Sequence, residues 1–180
     1  MNICVFCGSS RGVAADYADT AVAMADAMAS AGCNLVYGGG NVGLMGVLAD
    51  QMMKNGRKVT GIIPEFLMQR EVGHLGITAL EVVPSMHARK KRMADLTDVF
   101  IALPGGIGTL EELGEIMTWR QLGLITAPIG ILNVKGFFDP LILQFTTMVT
   151  EGFLKPANLE DLKISSKPAE LLTMLGVVTV

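Results

Sequence analysis

The stretch 98-DVFIALPGGIGTLEELGEIMT-118 decides how the rest of the chain is read. Its opening run, Val99 to Leu103, is apolar throughout, the pattern of a strand buried on both faces. Pro104 stops the strand, and Gly105, Gly106 and Gly108 let the backbone turn tightly and approach a ligand. Thr109 suits a helix N-cap, and Leu110, Leu113, Ile116 and Met117 supply the apolar stripe of the helix that follows. A strand, a glycine turn and a helix start together present free N–H groups and a positive dipole end, a seat for phosphate. Glu111 and Glu112 fall in the first turn, where a carboxylate beside a phosphate is a candidate catalytic group. A competing reading makes Thr109-x-x-Glu112 a capping box, with Glu112 bonded back to the Thr109 N–H. A cap alone does not call for three glycines before it, which favours the phosphate seat with a functional acid.

Working outward, the same unit recurs. Ile3 to Cys7 reads as a strand running into 8-GSSRG-12, and Ala15 to Ala31 as a helix closed by Gly32. Asn34 to Tyr37 is a strand running into 38-GGGNVGLMG-46, with a helix to about Asn55-Gly56. Lys58 to Ile63 is a strand closed by Pro64. The segment Glu65 to Thr78 has no clear period, carries Arg70, Glu71 and His74, and reads as a long functional loop. Ala79 to Val83 is a short strand, after which Ser85 caps a helix bearing 86-MHARKKRM-93. Downstream, Pro128 to Asn133 is a buried strand and Phe138 to Thr150 an amphipathic helix. Asn158 to Leu162 reads as a short helical turn or loop, and Lys167 to Leu175 as the last helix. This alternation predicts an α/β fold: one domain over residues 1–180, a doubly wound parallel sheet with ligands at the carboxyl ends of its strands.

The bulk numbers narrow the classes. At 180 residues, with 51% apolar and 17% charged, the chain can bury a full core and is not disordered. A net charge of −3 argues against a nucleic-acid binder. The start, MNICVFCGSS, has no basic n-region, and Gly, Pro and charges interrupt the apolar runs short of a membrane span. The 3 cysteines, an odd number, suit a reducing cytoplasm. Cys4 and Cys7 form a C-x-x-C on a strand, pointing to opposite faces as buried residues rather than as a redox pair. His74 and His87 are too few and too far apart for zinc, and no metal is expected.

Two further stretches invite chemistry. Gly38-x-Gly40-x-x-Gly43, with Glu65 about 20 residues on, nearly meets the dinucleotide fingerprint, which would make the protein an NAD-dependent oxidoreductase. It follows the second strand instead of the first, and its acid lies beyond a proline, so a general phosphate or close-approach loop is the better reading. In Arg89-Lys90-Lys91-Arg92, Lys91 and Arg92 read as a solvated helix face, while Arg89 and Lys90 lie near the helix start and reach the same rim. Met45, Met86 and Met93 flank that rim as a soft apolar wall.

These residues resemble a known family. Pro104-Gly105-Gly106-Ile107-Gly108-Thr109-Leu110-Glu111-Glu112 matches the PGGxGTxxE motif of the Lonely Guy family of cytokinin riboside 5′-monophosphate phosphoribohydrolases, and Met86-His87-Ala88-Arg89-Lys90 is similar to its MHxRK motif. Cys7-Gly8-Ser9-Ser10, Tyr37 to Gly40 with Gly43 to Gly46, and Thr118-Trp119-x-Gln121-Leu122-Gly123 also fit. The resemblance runs from Ile3 to about Leu143. It implies a Rossmann-like nucleotide-binding fold, a homodimer, no cofactor, and hydrolysis of the N-glycosidic bond of an N6-modified adenosine 5′-monophosphate, or of AMP, to free base and ribose 5-phosphate. It implies Arg89 and Glu112 as catalytic, and Glu71, Arg89, Lys90, Gly106, Ile107, Gly108, Thr109, Leu110, Glu111, Glu112 and Thr118 as substrate-binding. Thr118 lies six residues past Glu112 on another helix face, so it is expected to serve a site shared across a dimer interface. Similar proteins that carry molybdenum cofactor on the same fold supply the alternative of a carrier without turnover.

Overall fold

The fold was analysed in a computed structural model, which describes residues 1–68 and 72–177. The described residues form a seven-stranded sheet in which every paired strand is parallel: β1 (Asn2–Phe6), β2 (Asn34–Tyr37), β3 (Val59–Pro64), β4 (Ala79–Val83), β5 (Val99–Ala102), β6 (Ile129–Leu132) and β7 (Leu162–Ser165), in the order β4-β3-β2-β1-β5-β6-β7. The helices are α1 (Ala15–Ser30), α2 (Gly43–Lys54), α3 (Met86–Asp95), α4 (Ile107–Gln121), α5 (Asp139–Thr150), α6 (Pro156–Glu160) and α7 (Pro168–Met174).

Strand alternation builds two cores. Ile3, Val5 and Cys7 point into one, with Ile101, Leu103 and the Ala/Met face of α1 and α2; Cys4 and Phe6 point into the other, with Phe100, Leu113, Ile116 and Phe138. Cys4 and Cys7 thus lie on opposite faces, both buried, as a strand requires. β5 is buried on both sides, which is why its sequence is a continuous apolar run.

The chain lays β2, β3 and β4 on one side of β1, then returns to place β5 on the other, with Phe6 beside Ala102. β1 and β5 therefore lead their turns apart at the carboxyl ends, and a crevice opens between them. The helix that follows β4 is fixed at its start by Ser85, whose Oγ accepts the Ala88 N–H at 3.1 Å. Ser85→Ala should lower stability by about 1 kcal/mol, read as the urea midpoint; an unchanged midpoint would mean that packing alone sets this helix entry.

One element departs from expectation. The segment near Asn158 to Leu162, read as a short helical turn or loop, is helical in α6 but leads into a strand, β7, paired with β6 from Ile129↔Leu162 to Leu132↔Ser165. β7 is a four-residue edge strand, LKIS, buried at its ends and only half-buried between. A lysine on a short edge strand protects it from pairing with other chains, and it also hides the strand from a periodicity search.

Candidate active site

The two turns that line the crevice hold each other. Leu103 N–H donates to Phe6 O at 2.9 Å and Gly8 N–H to Pro104 O at 3.0 Å. α4 starts at Ile107, with Gly106 as an extended N-cap that offers no side-chain bond. The first backbone bond is Leu110 N–H to Gly106 O at 3.2 Å, so the amides of Ile107, Gly108 and Thr109 open the helix without an intrahelical acceptor. Gly106, Ile107 and Gly108 are exposed there.

Thr109 is consequently not the N-cap. It is the third helical residue, 4% exposed, and its side chain packs against Gly105, where a Cβ would collide with the hydroxyl. The capping box fails with it, because Glu112 is then six residues into α4 instead of three past the cap. Threonine's preference for the cap outweighed a fact equally visible in the sequence: glycine also caps helices. Leu110 likewise leaves the expected apolar stripe and is partly exposed, while Leu113 and Ile116 are buried.

α3 brings Arg89 to the crevice from the other side. Arg89 is 5% exposed, with Nε donating to Ile62 O at 3.1 Å and one terminal nitrogen to Gly38 O at 2.9 Å. Met86 Sδ lies 3.8 Å from the other terminal nitrogen. Gly38 is required by this arrangement: a Cβ there would occupy the place of the guanidinium. Gly43, at φ +59°, presses against the backbone of Ser9 and Ser10, and Leu44 N–H donates to Gly8 O at 3.0 Å. The glycines of the near-fingerprint thus seat Arg89 and the turn after β1. The start of α2 is covered by that turn, which leaves no seat for a pyrophosphate and sets aside the dinucleotide reading.

Glu112 is half-buried on α4, whose Leu113 and Ile116 pack on the Cys4 and Phe6 face of the sheet. Burial first, and then its negative charge, push the Cys4 and Cys7 thiols up; the Arg89 charge works in the opposite direction on Cys4. Met93 of α3 packs on the same sheet face as Leu113 and Ile116 of α4, so Arg89 and Glu112 are carried by helices on one face of the sheet.

Lys90 is differently engaged. Its Nζ lies 2.6 Å from Glu111 Oε1 and 3.0 Å from Glu115 Oε1, tying α3 to α4. Burial alone would lower its pKa, but the two carboxylates outweigh it and the net shift is upward. Glu115 escaped the sequence reading, although its spacing of four from Glu111 puts the pair on one helix face. Arg92, expected to be solvated, forms a two-point pair with Glu81 of β4, at 2.7 and 3.0 Å, while Lys91 stays on the exposed face beside Asp95.

Other predicted residues scatter. Met45 and Met86 do lie at Gly38 and Arg89, but Met93 is buried in the core with Phe100. Thr118 is exposed and its hydroxyl donates to Gly114 O at 2.8 Å. It lies about 9 Å along α4 from Glu112, beside a cleft of about 300 Å³ bounded by Met117, Phe145 and Phe153. The structure does not bring it together with Glu112 within one chain. The candidate Glu71 lies outside the described residues. Next to it, Val72 has φ +46°, and its carbonyl accepts the Asn41 N–H at 2.9 Å. His74 N–H donates to Gly39 O at 2.9 Å, and His74 Nε2 meets Asp50 Oδ1 at 3.0 Å. The loop is thus anchored at the rim.

Comparison with known proteins follows the same residues. A cytokinin riboside 5′-monophosphate phosphoribohydrolase of Arabidopsis thaliana is 45% identical over 173 residues, 96% of this chain and 80% of that relative. A probable enzyme of the same name from Oryza sativa subsp. japonica is 45% identical over 178 residues, 98% of this chain and 79% of the relative. The chain belongs to the Lonely Guy family. Residues 45–175 also match the family model described as possible lysine decarboxylase. A decarboxylase of that kind would use a pyridoxal-phosphate lysine, which needs a depressed pKa. Lys90 is buried, yet two carboxylates hold it protonated, so this site does not fit the cofactor. Among solved structures, the molybdenum cofactor binding protein of Rippkaea orientalis aligns with TM-score 0.71 at 20% identity over 97% of this chain and 94% of that one. The Moco carrier protein of Chlamydomonas reinhardtii gives 0.73 at 18% identity over 97% and 94%. These likenesses confirm the Rossmann-like doubly wound fold of this Lonely Guy chain.

Proposed function

We propose that this Lonely Guy protein hydrolyses the N-glycosidic bond of an N6-modified adenosine 5′-monophosphate, or of AMP, releasing base and ribose 5-phosphate. The observation that carries the reading is that α4, with its open first amides and Glu112, and α3, with the buried Arg89, pack on one face of the sheet. The 5′-phosphate sits on the amides of Ile107, Gly108 and Thr109, with Gly106 giving access. That leaves the ribose beside Glu112, on the first turns of α4. Departure of the base builds positive charge at C1′, as in other glycoside cleavages. Glu112 offsets that charge and takes a proton from the water that adds its hydroxyl to C1′; the released base ends protonated on nitrogen. Arg89, always charged, is a poor acid and instead orients the substrate. Lys90, held by Glu111 and Glu115, fixes the angle of α4, with Leu110 exposed beside the seat. Glu71 contacts the ribose or base from the loop. No metal or cofactor enters the scheme.

Release of free base from isopentenyladenosine monophosphate, AMP and the unphosphorylated riboside tests the reading. Cleavage confined to the monophosphates is expected. A folded protein that cleaves none of them, yet binds molybdenum cofactor, would establish the carrier alternative instead.

Thr118 enters only if two chains share the site. In a homodimer with such a site, mixing Glu112→Gln with Thr118→Asp protein should restore on the order of a quarter of wild-type activity, since half the dimers are mixed and each has one intact site. A fully active monomer would remove Thr118 from the mechanism.

A further inference from the structure

We infer that the turn after β1, Ser9-Ser10-Arg11, forms the second half of the phosphate seat, and that Arg11 selects the 5′-phosphorylated substrate over the free nucleoside. The inference rests on the phosphoribohydrolase reading and deepens it. A cleft of about 310 Å³ opens between this turn and Gly105-Gly106, at the lower end of small-molecule sites. Its described lining includes one cation, Arg11, and no carboxylate. Asp16, close by at the start of α1, is paired with Lys135 at 3.4 Å. Among the described residues no hydrogen bond or ion pair engages the Arg11 guanidinium, in contrast to Lys90, which two carboxylates hold.

The turn is held from three sides. Gly8 N–H bonds Pro104 O, the backbone of Ser9 and Ser10 packs on Gly43, and Gly12, at φ +73°, packs under the Tyr17 ring. The Tyr17 ring meets that of Phe137 edge-on at 5.9 Å, closing the far wall. Ser10 Oγ accepts the Gly12 N–H at 3.3 Å, which leaves its own proton to donate. A fixed turn with an unengaged guanidinium, across the cleft from the Gly105-Gly106 turn that leads into the open amides of α4, is a seat for a dianion. Charge then orients the substrate along the crevice: the phosphate goes to the side with Arg11 and no acid, and C1′ to the side with Glu112.

The test compares wild type, Arg11→Ala and Arg11→Lys in turnover of a nucleoside 5′-monophosphate, alongside calorimetric binding of ribose 5-phosphate and of the unphosphorylated riboside. Arg11 is exposed on a surface turn, so the fold should survive, as circular dichroism will show. Arg11→Ala should raise KM for the monophosphate and weaken ribose 5-phosphate about 10–100-fold, the range of a charge-assisted hydrogen bond, with Arg11→Lys intermediate and binding of the unphosphorylated riboside unaffected. Equal losses of ribose 5-phosphate and riboside affinity, or unaltered ribose 5-phosphate affinity, would overturn the assignment. If wild type does not cleave the monophosphate the reaction reading fails, and the ribose 5-phosphate arm still decides on Arg11.

Discussion

Glu112→Gln should lower kcat on the nucleoside monophosphate by about 10²–10⁴-fold, the range for loss of a positioned acid–base group. Glutamine keeps the size of the side chain and its acceptor oxygen but neither carries charge nor takes a proton. KM should change little, because the phosphate is held by the amides before Glu112 and not by its carboxylate. The variant has a second readout. Glu112 is one of the charges that hold the Cys4 and Cys7 thiols up, so both should become slightly more acidic, although burial, the larger cause, remains. Rate and ribose 5-phosphate affinity measured on the same preparation separate the outcomes. A large fall in affinity with kcat retained would make Glu112 a binding group and return C1′ to some other side chain.

Gly38→Ala should be nearly as damaging, although Gly38 is outside the expected site residues. Gly38 does not have a positive φ, so alanine suits the backbone itself. The obstacle is Arg89, whose guanidinium fills the place of the new methyl, with Met45 Sδ 3.3 Å away on another side. The guanidinium must move, losing its bonds to Gly38 O and Ile62 O. A shift of about 1 Å in a positioning group costs on the order of 10² in rate, and overpacking costs about 1–3 kcal/mol of stability. The diagnostic comparison is the double variant with Arg89→Ala. With the arginine gone the methyl has room, so adding Gly38→Ala should cause no further loss of rate. Additive losses would show that Gly38 acts independently of Arg89.

The fold was legible because its strands are extreme. Val99 to Leu103 is apolar beyond what a one-sided sheet needs and ends at Pro104, and Lys58 to Ile63 closes on the apolar pair Ile62-Ile63 before Pro64. β7 was missed because an edge strand of four residues need only be half apolar. The site was legible in part. The glycine turn and its acids were found from chemistry alone, and the buried Arg89 from its place near a helix start. The start of α4 lies three residues before the expected one because side-chain caps dominate such reasoning, whereas here a bare glycine leaves the amides open. That Gly38 and Gly43 serve a close approach was legible, but what approaches them was not. Each answers to a partner distant in sequence, Arg89 in one case and Ser9 in the other, and only the folded chain shows the pairing.

The two backbone bonds that join Val72 and His74 to Asn41 and Gly39 have a thermodynamic consequence. They end on the same short turn whose Gly38 carbonyl holds Arg89. Any motion that breaks them also frees the turn that holds Arg89, so the two events share one free energy. By reciprocity, a ligand that fixes Arg89 also protects those two bonds by the same amount. Ribose 5-phosphate should then slow solvent exchange of the Asn41 and His74 amides to the same degree, so that two backbone amides report the alignment of the site.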